Sequence, residues 1–358
     1  EFAGAPYDES FILADVSVES PLATDSIHLF FGDDGILGIF PFGGDRCRVI
    51  ANIPSQSREQ TLPEVTLDEV QTLTNRRGPN DARLSDAIWM SRFSISHRMV
   101  RDYRKLRVFL AGDAAHIHSP AGGQGMNTGI QDAFNLAWKL ALVVGGRASA
   151  QLLGSYQLER EPVARGVVNL TDRLTRMATV RNSFAQSVRD FLLPAVSAIG
   201  LVGDKIAERL CELDVNYRSS PIVENHGAGR PRAGERLPDG ELRDENGKAR
   251  LLFELSRAPR HVLLLFLGAR GEAAAKATNR GSALAGLPAG VIDIYLISRG
   301  ESSDEAELRD ISGLTHAACG LTSGGMLLVR PDGYIGYRSD DFDQAELQAY
   351  LRRLFHAA

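Results

Sequence analysis

The 358-residue sequence is 44% hydrophobic and 24% charged, with a net charge of −5 and a pI near 6.0. That length is enough for two or three domains with cores of their own. The acidic balance argues against nucleic acid as the main partner, and no apolar run reaches membrane-spanning length. Cys47, Cys211 and Cys319 are odd in number and far apart, so they read as small core residues and offer no disulfide framework, CxxC pair or zinc spacing.

The opening segment Glu1–Ser10 lacks the basic start and apolar core of a signal peptide, and a reducing cytoplasm is the expected compartment. From Ser10 onward short runs rich in β-branched and aromatic residues predict strands. They lie at Ser10–Glu19, Ile27–Phe31, Gly35–Phe42, Arg46–Ile53 and Ile88–Ile95. Asp33-Asp34-Gly35 and Gly43-Gly44-Asp45 are hairpin turn signals between them. Thr66–Arg76 reads as one helix, opened by a capping box of Thr66 and Glu69.

The most informative stretch runs from Val108 to Val144. Val108–Ala111 is a short apolar run that predicts a buried strand, with Gly112 and Asp113 at its carboxyl end. A loop with Pro120, Gly122, Gly123 and Gly125 then opens into a long helix. Ile130, Ala133, Phe134, Ala137, Leu140, Ala141 and Val144 recur at spacings of three and four, which predicts one apolar face; Asp132 and Lys139 interrupt it. A helix N-terminus offers free N–H groups and partial positive charge, and glycines let backbone approach a ligand. Asp113 would repel phosphate but suits the hydroxyls of a sugar or polyol. The junction thus fits a ligand with both hydroxyls and a delocalised, electron-rich part.

The pattern GDAAHxxxPxxGxGxNxGxxDAxNLxWKL, as it stands in these residues, resembles the second flavin-binding motif of the class A FAD-dependent aromatic hydroxylases. That is the family of p-hydroxybenzoate and phenol hydroxylases. The resemblance implies that Asp113 holds the ribityl chain of FAD and that Gly125, Met126 and Asn127 face the flavin edge. It further implies that Pro120 lies beside the ring near the substrate, with Gly112, Gly122 and Gly123 completing the cofactor loop. The strand-rich segment resembles the family's substrate domain, so Phe40, Phe42, Trp89 and Phe93 become candidates for the substrate wall, each alternatively an ordinary core residue. Arg46, Arg48 and Arg92 would meet an acidic substrate or be surface groups. No metal site is expected; His116 and His118 read as packing and hydrogen-bonding residues, and His28, His97 and His116 are general-base candidates by residue type alone.

Family members carry an ADP-binding βαβ unit with GxGxxG ahead of the segment that begins here, and no such unit occurs in these residues. The resemblance therefore covers the later part of a hydroxylase, and about one domain is expected ahead of Glu1. Further along, LLGSYQLEREPVAR (Leu152–Arg165) and LDVNYRSSP (Leu213–Pro221) also resemble the phenol-hydroxylase-like branch. Asp172–Leu193 and Ala195–Leu213 read as helices, and His226–Gly240, rich in Gly, Pro and Arg, as a linker or domain boundary.

Strand runs at His261–Gly268 and Val291–Ser298 follow the linker. A hairpin at Met326–Arg338 turns at Asp332-Gly333, and a closing helix spans Asp343–His356. Its apolar stripe is Leu347, Tyr350, Leu351 and Leu354. This order of elements, with LVRPDGY, resembles the thioredoxin-like C-terminal domain of the same branch. With no CxxC its expected role is structural, an assembly surface such as a homodimer would use. Arg330 and Asp332 read as surface groups of the hairpin.

The expected fold class is α/β (α+β): part of a p-hydroxybenzoate-hydroxylase-like FAD fold with a β-sheet substrate domain, followed by a thioredoxin-like domain. The expected divisions are 1–100, 101–224 and 225–358. The implied reaction is hydroxylation of a phenolic or polycyclic phenolic with NAD(P)H and O2, through a flavin C4a-hydroperoxide. The alternatives are another flavoenzyme sharing the motif, a halogenase or reductase, or a non-catalytic fragment serving in assembly.

Overall fold

A computed structural model of the chain describes residues 1–23, 25–32, 34–54, 64–119, 123–178, 208–209, 211–268, 287–300 and 307–355. The chain divides into two compact units, Glu1–Thr128 with Ala164–Cys211, and Gly129–Val163 with Glu212–Ala358. No helix among the described residues is long and apolar enough to cross a membrane.

The first unit is built on a six-stranded sheet. Its strands are β1 (Phe2–Glu19), β2 (His28–Gly32), β3 (Gly35–Gly43), β4 (Arg46–Pro54), β5 (Arg83–Val100) and β8 (His116–Ile117), ordered β2-β3-β4-β1-β5-β8. The β1–β4, β1–β5, β2–β3 and β3–β4 pairs are all antiparallel, and alternation along them sorts residues onto two faces. Ile12, Ala14, Val16, Leu37, Ile39, Val49 and Ala51 form one face and pack with Val70 of α1 (Leu67–Arg77). Each Val, Leu or Ile side chain among them contributes about 1.5–3 kcal/mol by burial. Thr66 caps α1 as expected, its hydroxyl accepting from the Glu69 amide at 3.2 Å. The Glu69 carboxylate is turned to Arg92 on β5 at 2.8 Å.

The Val108–Ala111 run does not form a buried strand. β6 (Arg104–Lys105) and β7 (Val108–Phe109) make a separate two-stranded hairpin, and Val108 is 64% exposed. Among the described residues β7 has no partner but β6. An apolar run is buried only where a second strand or helix lies against it.

Two long helices follow, α2 (Gly125–Val144) and α3 (Gly154–Ala178), the latter entered through a 3₁₀ turn at Ala150–Leu153 capped by Ser149. The helices expected at Asp172–Leu193 and Ala195–Leu213 lie largely outside the described residues.

The second unit holds an eight-stranded sheet. Its strands are β9 (Glu224–His226), β10 (Glu241–Asp244), β11 (Ala249–Leu251), β12 (His261–Phe266), β13 (Ile292–Arg299), β14 (Leu308–Asp310), β15 (Gly325–Val329) and β16 (Ile335–Ser339). They run β11-β10-β14-β13-β12-β15-β16-β9. β12 and β13 are parallel, while β12–β15 and β15–β16 are antiparallel. One face packs Leu263, Leu265, Met326 and Leu328 with Trp138 and Leu142 of α2. The stripe Leu347, Tyr350, Leu351 and Leu354 of the closing helix, Gln344–Leu354, joins the same core. The other face packs Val262, Leu264, Phe266, Leu327 and Val329.

The Gly-, Pro- and Arg-rich segment His226–Gly240 is no linker. Ala233 and Leu237 are buried, and the backbone is tied to the β15–β16 hairpin by Gly234 N–H to Ile335 O (2.7 Å) and Leu237 N–H to Gly333 O (3.0 Å). Satisfied backbone hydrogen bonds let a turn-rich segment be buried without penalty.

Candidate functional site

The loop after β7 turns sharply. Gly112 has φ +57° and opens a single 3₁₀ turn, Gly112–Ala114, that leaves the Asp113 side chain exposed. Gly123, at φ +67°, sits just ahead of α2 with open space where a Cβ would project. Both conformations favour glycine. The first bond of the α2 ladder runs from Thr128 N–H to Gln124 O at 2.9 Å, so the amides of Gly125, Met126 and Asn127 precede it. Met126 and Asn127 are exposed. An exposed carboxylate, two left-handed glycines and an open helix N-terminus occur within 15 residues of one unit, and this arrangement suits FAD. Pro120 and Gly122 lie outside the described residues.

The loop is braced from within. The hydroxyls of Ser119 and Thr175 on α3 lie 2.7 Å apart, and the Gln124 side chain donates to Arg209 O at 2.6 Å. His116 is buried and its ring stacks between those of Tyr103 and His118. His118 bonds Ser119 O through Nδ1 at 2.8 Å, and burial pushes its imidazole below the ordinary range. Among the described residues no group of three or more His, Cys, Asp or Glu is placed to hold a metal ion.

The sheet face opposite α1 carries the aromatics named from sequence. By register Phe40, Arg48, Asp15 and Trp89 form one row across β3, β4, β1 and β5. Phe93 lies on the same face and stacks on Phe11, with centroids 5.8 Å apart. Phe42 sits at the irregular end of β3, and the Arg48 guanidinium lies 5.2 Å from its ring and 5.8 Å from that of Trp89. Asp15 pins Arg48 in a two-point pair of 2.8 and 2.9 Å, and that hydrogen bond holds the Asp15 carboxyl below its usual range. Arg92 is committed to Glu69, and Arg46 donates to Asp86 O. An open cleft of about 510 Å³ is lined by Ser10, Val65, Met90, Arg92, Phe93 and Ser94 among others; of the four expected wall aromatics it takes in only Phe93. Of the general-base candidates by residue type, His28 bonds Ala23 O at 2.8 Å, and His97 packs edge-on against Tyr7.

Helix α2 has the apolar face expected, and in these 358 residues that face is the exposed one. Ile130, Ala133, Phe134, Ala137, Ala141 and Val144 are exposed, Phe134 at 56%, while Asp132, Asn135 and Lys139 are buried beside Leu136, Trp138 and Leu142. The polar side chains are held in a network inside the second unit. Glu159 on α3 accepts from Asn135 (2.6 Å), Lys139 (2.7 Å), Ser220 (2.6 Å) and Arg330 (2.7 and 2.8 Å). Asp332 accepts from Arg330 and from the Trp138 indole N–H at 3.0 Å. Arg160 donates to Asp132 at 2.6 Å and to the Tyr217 hydroxyl at 2.9 Å.

Arg330 and Asp332 are therefore not hairpin surface groups: their side chains are 1% and 4% exposed. Burial opposes every charge here, yet the cations around Glu159 hold its carboxyl well below the usual range. Lys139 is pushed down to about 8, chiefly by burial. Sequence reasoning missed this cluster. Its one trace is the spacing of Asp132, Asn135 and Lys139 along a single helix stripe.

Residues 7–171 match the FAD binding domain family, and residues 230–358 match the family described as aromatic-ring hydroxylase, C-terminal. The chain is 32% identical over 355 residues to a 6-methylpretetramide 4-monooxygenase of Streptomyces rimosus, covering 97% of this chain and 62% of that protein. It is 35% identical over 277 residues to a pentachlorophenol 4-monooxygenase of Sphingobium chlorophenolicum, covering 76% and 49%. An anhydrotetracycline hydroxylase structure from Streptomyces rimosus aligns with TM-score 0.73 at 29% identity, over 100% of this chain and 66% of that one. The chain thus spans less than two thirds of the length of these relatives. The loop and helix thus lie in a part that matches the FAD binding domain family, and the hairpin sheet in a part that matches the C-terminal family of aromatic-ring hydroxylases.

Proposed function

We propose that the full-length protein is an FAD-dependent monooxygenase that hydroxylates a phenolic or polycyclic phenolic substrate with NAD(P)H and O2. The observation that carries this is the loop-to-helix junction, where exposed Asp113 and the open first turn of α2 lie beside Gly112 and Gly123. Relatives named as pentachlorophenol and tetracycline-pathway monooxygenases support the substrate class. Bound FAD would supply the activation of oxygen. The chain's own part is positioning. Asp113 accepts hydrogen bonds from ribityl hydroxyls. The amides of Gly125, Met126 and Asn127 stabilise negative charge at the ring edge. Pro120 and Gly122 complete the loop in this reading, with Pro120 beside the substrate.

The sheet face opposite α1 is proposed as the substrate wall, with Phe40, Phe42, Trp89 and Phe93 offering flat apolar contact and excluding water. The C-terminal part is read as thioredoxin-like. The strand order β13-β12-β15-β16 supports this, with one parallel and two antiparallel pairings and a helix after β16. An assembly role for that part, a homodimer and a cytoplasmic location complete the reading; the free cysteines support the last.

The test is direct. Purified full-length protein should be yellow and should oxidise NADH or NADPH faster when a phenolic is added. Full-length protein that binds no flavin would end this reading.

A further inference from the structure

We propose that Glu159 is a positioning residue for the cofactor: by holding Asn135 and Lys139 it sets the rotation and axial position of α2, and so the placement of the Gly125–Asn127 amides. This rests on the reading of that first turn as the flavin-facing end.

The geometry around Glu159 is unusual for a carboxylate with a purely local role. Five donor contacts converge on it from three chain segments: Asn135 and Lys139 on α2, Ser220, and two from Arg330 at the end of β15; Glu159 itself stands on α3, a fourth. Two carboxylate oxygens offer about four lone-pair sites, so the group is saturated. Apolar contacts at Leu136 and Leu142 tolerate small slides and rotations, whereas hydrogen bonds to a buried charge fix direction and distance. The helix is continuous from Gly125 to Val144. Asn135 stands eight residues from Asn127, about 12 Å along the axis, so a shift at the anchor reaches the first turn through a stiff rod.

The test uses the full-length flavoprotein. Glu159→Gln keeps the side-chain size and removes the charge. Leu351→Ala cavitates the apolar core of the same unit and removes no hydrogen-bonding group of the network. FAD affinity, the potential of the bound flavin and Tm are measured for each. Glu159→Gln should weaken FAD binding by about tenfold or more and lower the flavin potential, while Leu351→Ala, even at an equal fall in Tm, should stay within about twofold.

Equal losses in the two variants, or flavin affinity and potential unchanged in Glu159→Gln, would overturn the proposal. If Glu159→Gln does not fold, Asp332→Asn loosens Arg330 and Trp138 at constant size and is judged against the same control. Wild-type protein without flavin would instead overturn the cofactor reading itself, before any substitution is made.

Discussion

Arg330→Met probes the energetics of the buried network. The guanidinium is 1% exposed and makes contacts of 2.7 and 2.8 Å to Glu159 and of 3.0 and 2.5 Å to Asp332, with the rings of Trp138 and Tyr217 each 5.1 Å away. Asp132, Glu159 and Asp332 are matched by Lys139, Arg160 and Arg330, so the cluster is balanced as it stands. Methionine preserves much of the volume but strands buried negative charge. Breaking a buried pair in this way costs about 3–5 kcal/mol, a large part of the roughly 5–15 kcal/mol that holds a domain folded.

Urea unfolding of wild type and variant should show that loss near neutral pH. Adding Glu159→Gln to Arg330→Met should cost less than the two single losses combined, because it removes a stranded charge. The gap also has a pH signature. Glu159 is held below its ordinary value, so its stabilisation is present above the unfolded carboxyl pKa of about 4.3 and is lost as pH falls towards the folded value. The gap between wild type and Arg330→Met should therefore narrow as pH falls, because the stranded Glu159 of the variant takes up a proton at a higher pH than the paired one of wild type. A loss under about 1 kcal/mol, or one that does not change with pH, would refute the view that these charges are coupled and buried.

Three further outcomes are expected. Asp113→Ala should weaken FAD binding by about tenfold or more without altering thermal unfolding of the flavin-free protein; flavin titration checks it, and unchanged affinity removes Asp113 from the site. Cys319→Ser should leave turnover unchanged, since the thiol is fully buried and burial pushes it up to about 12; a large loss of activity with folding intact would reveal a thiol role. His261 lies edge-on to Trp138 and Phe355, and burial, with the Arg330 charge adding to it, pushes its imidazole down to about 3 from 6.5. Above pH 6.5 it is neutral folded or unfolded and contributes nothing; as pH falls, only the unfolded chain takes the proton. Wild type should therefore lose stability relative to His261→Phe by up to about 1.4 kcal/mol per pH unit towards pH 3, and parallel pH profiles would contradict this.

Much of the chain was legible because local signals and tertiary packing agree. The alternation in Ser10–Glu19 and its neighbours, the Thr66 cap, the Gly333 turn and the stripe Leu347 to Leu354 each require only their own residues to choose a conformation. The loop-to-helix junction was legible for the same reason: Gly112, Asp113, Gly123 and the α2 N-terminus are bound by backbone sterics and by the orphan amides of a helix end.

Residue patterns alone were thus enough for most segments to be read as helix, strand or turn. Which side of α2 is inside depended instead on partners distant in the chain. Periodicity shows that α2 has two faces but says nothing of what lies against either. The apolar stripe would be the buried one for a helix with only water and an apolar core to choose between. Here Glu159, Arg330 and Asp332 arrive from 20 to nearly 200 residues away and satisfy Asn135, Trp138 and Lys139, so the polar side goes in. A buried charge is tolerable only when its partner is also buried, and no window of neighbouring residues contains that partner. The same logic moved Arg330 and Asp332 from a hairpin surface to the centre of a network. Val108, on a strand paired only with β6 among the described residues, is exposed in these 358 residues.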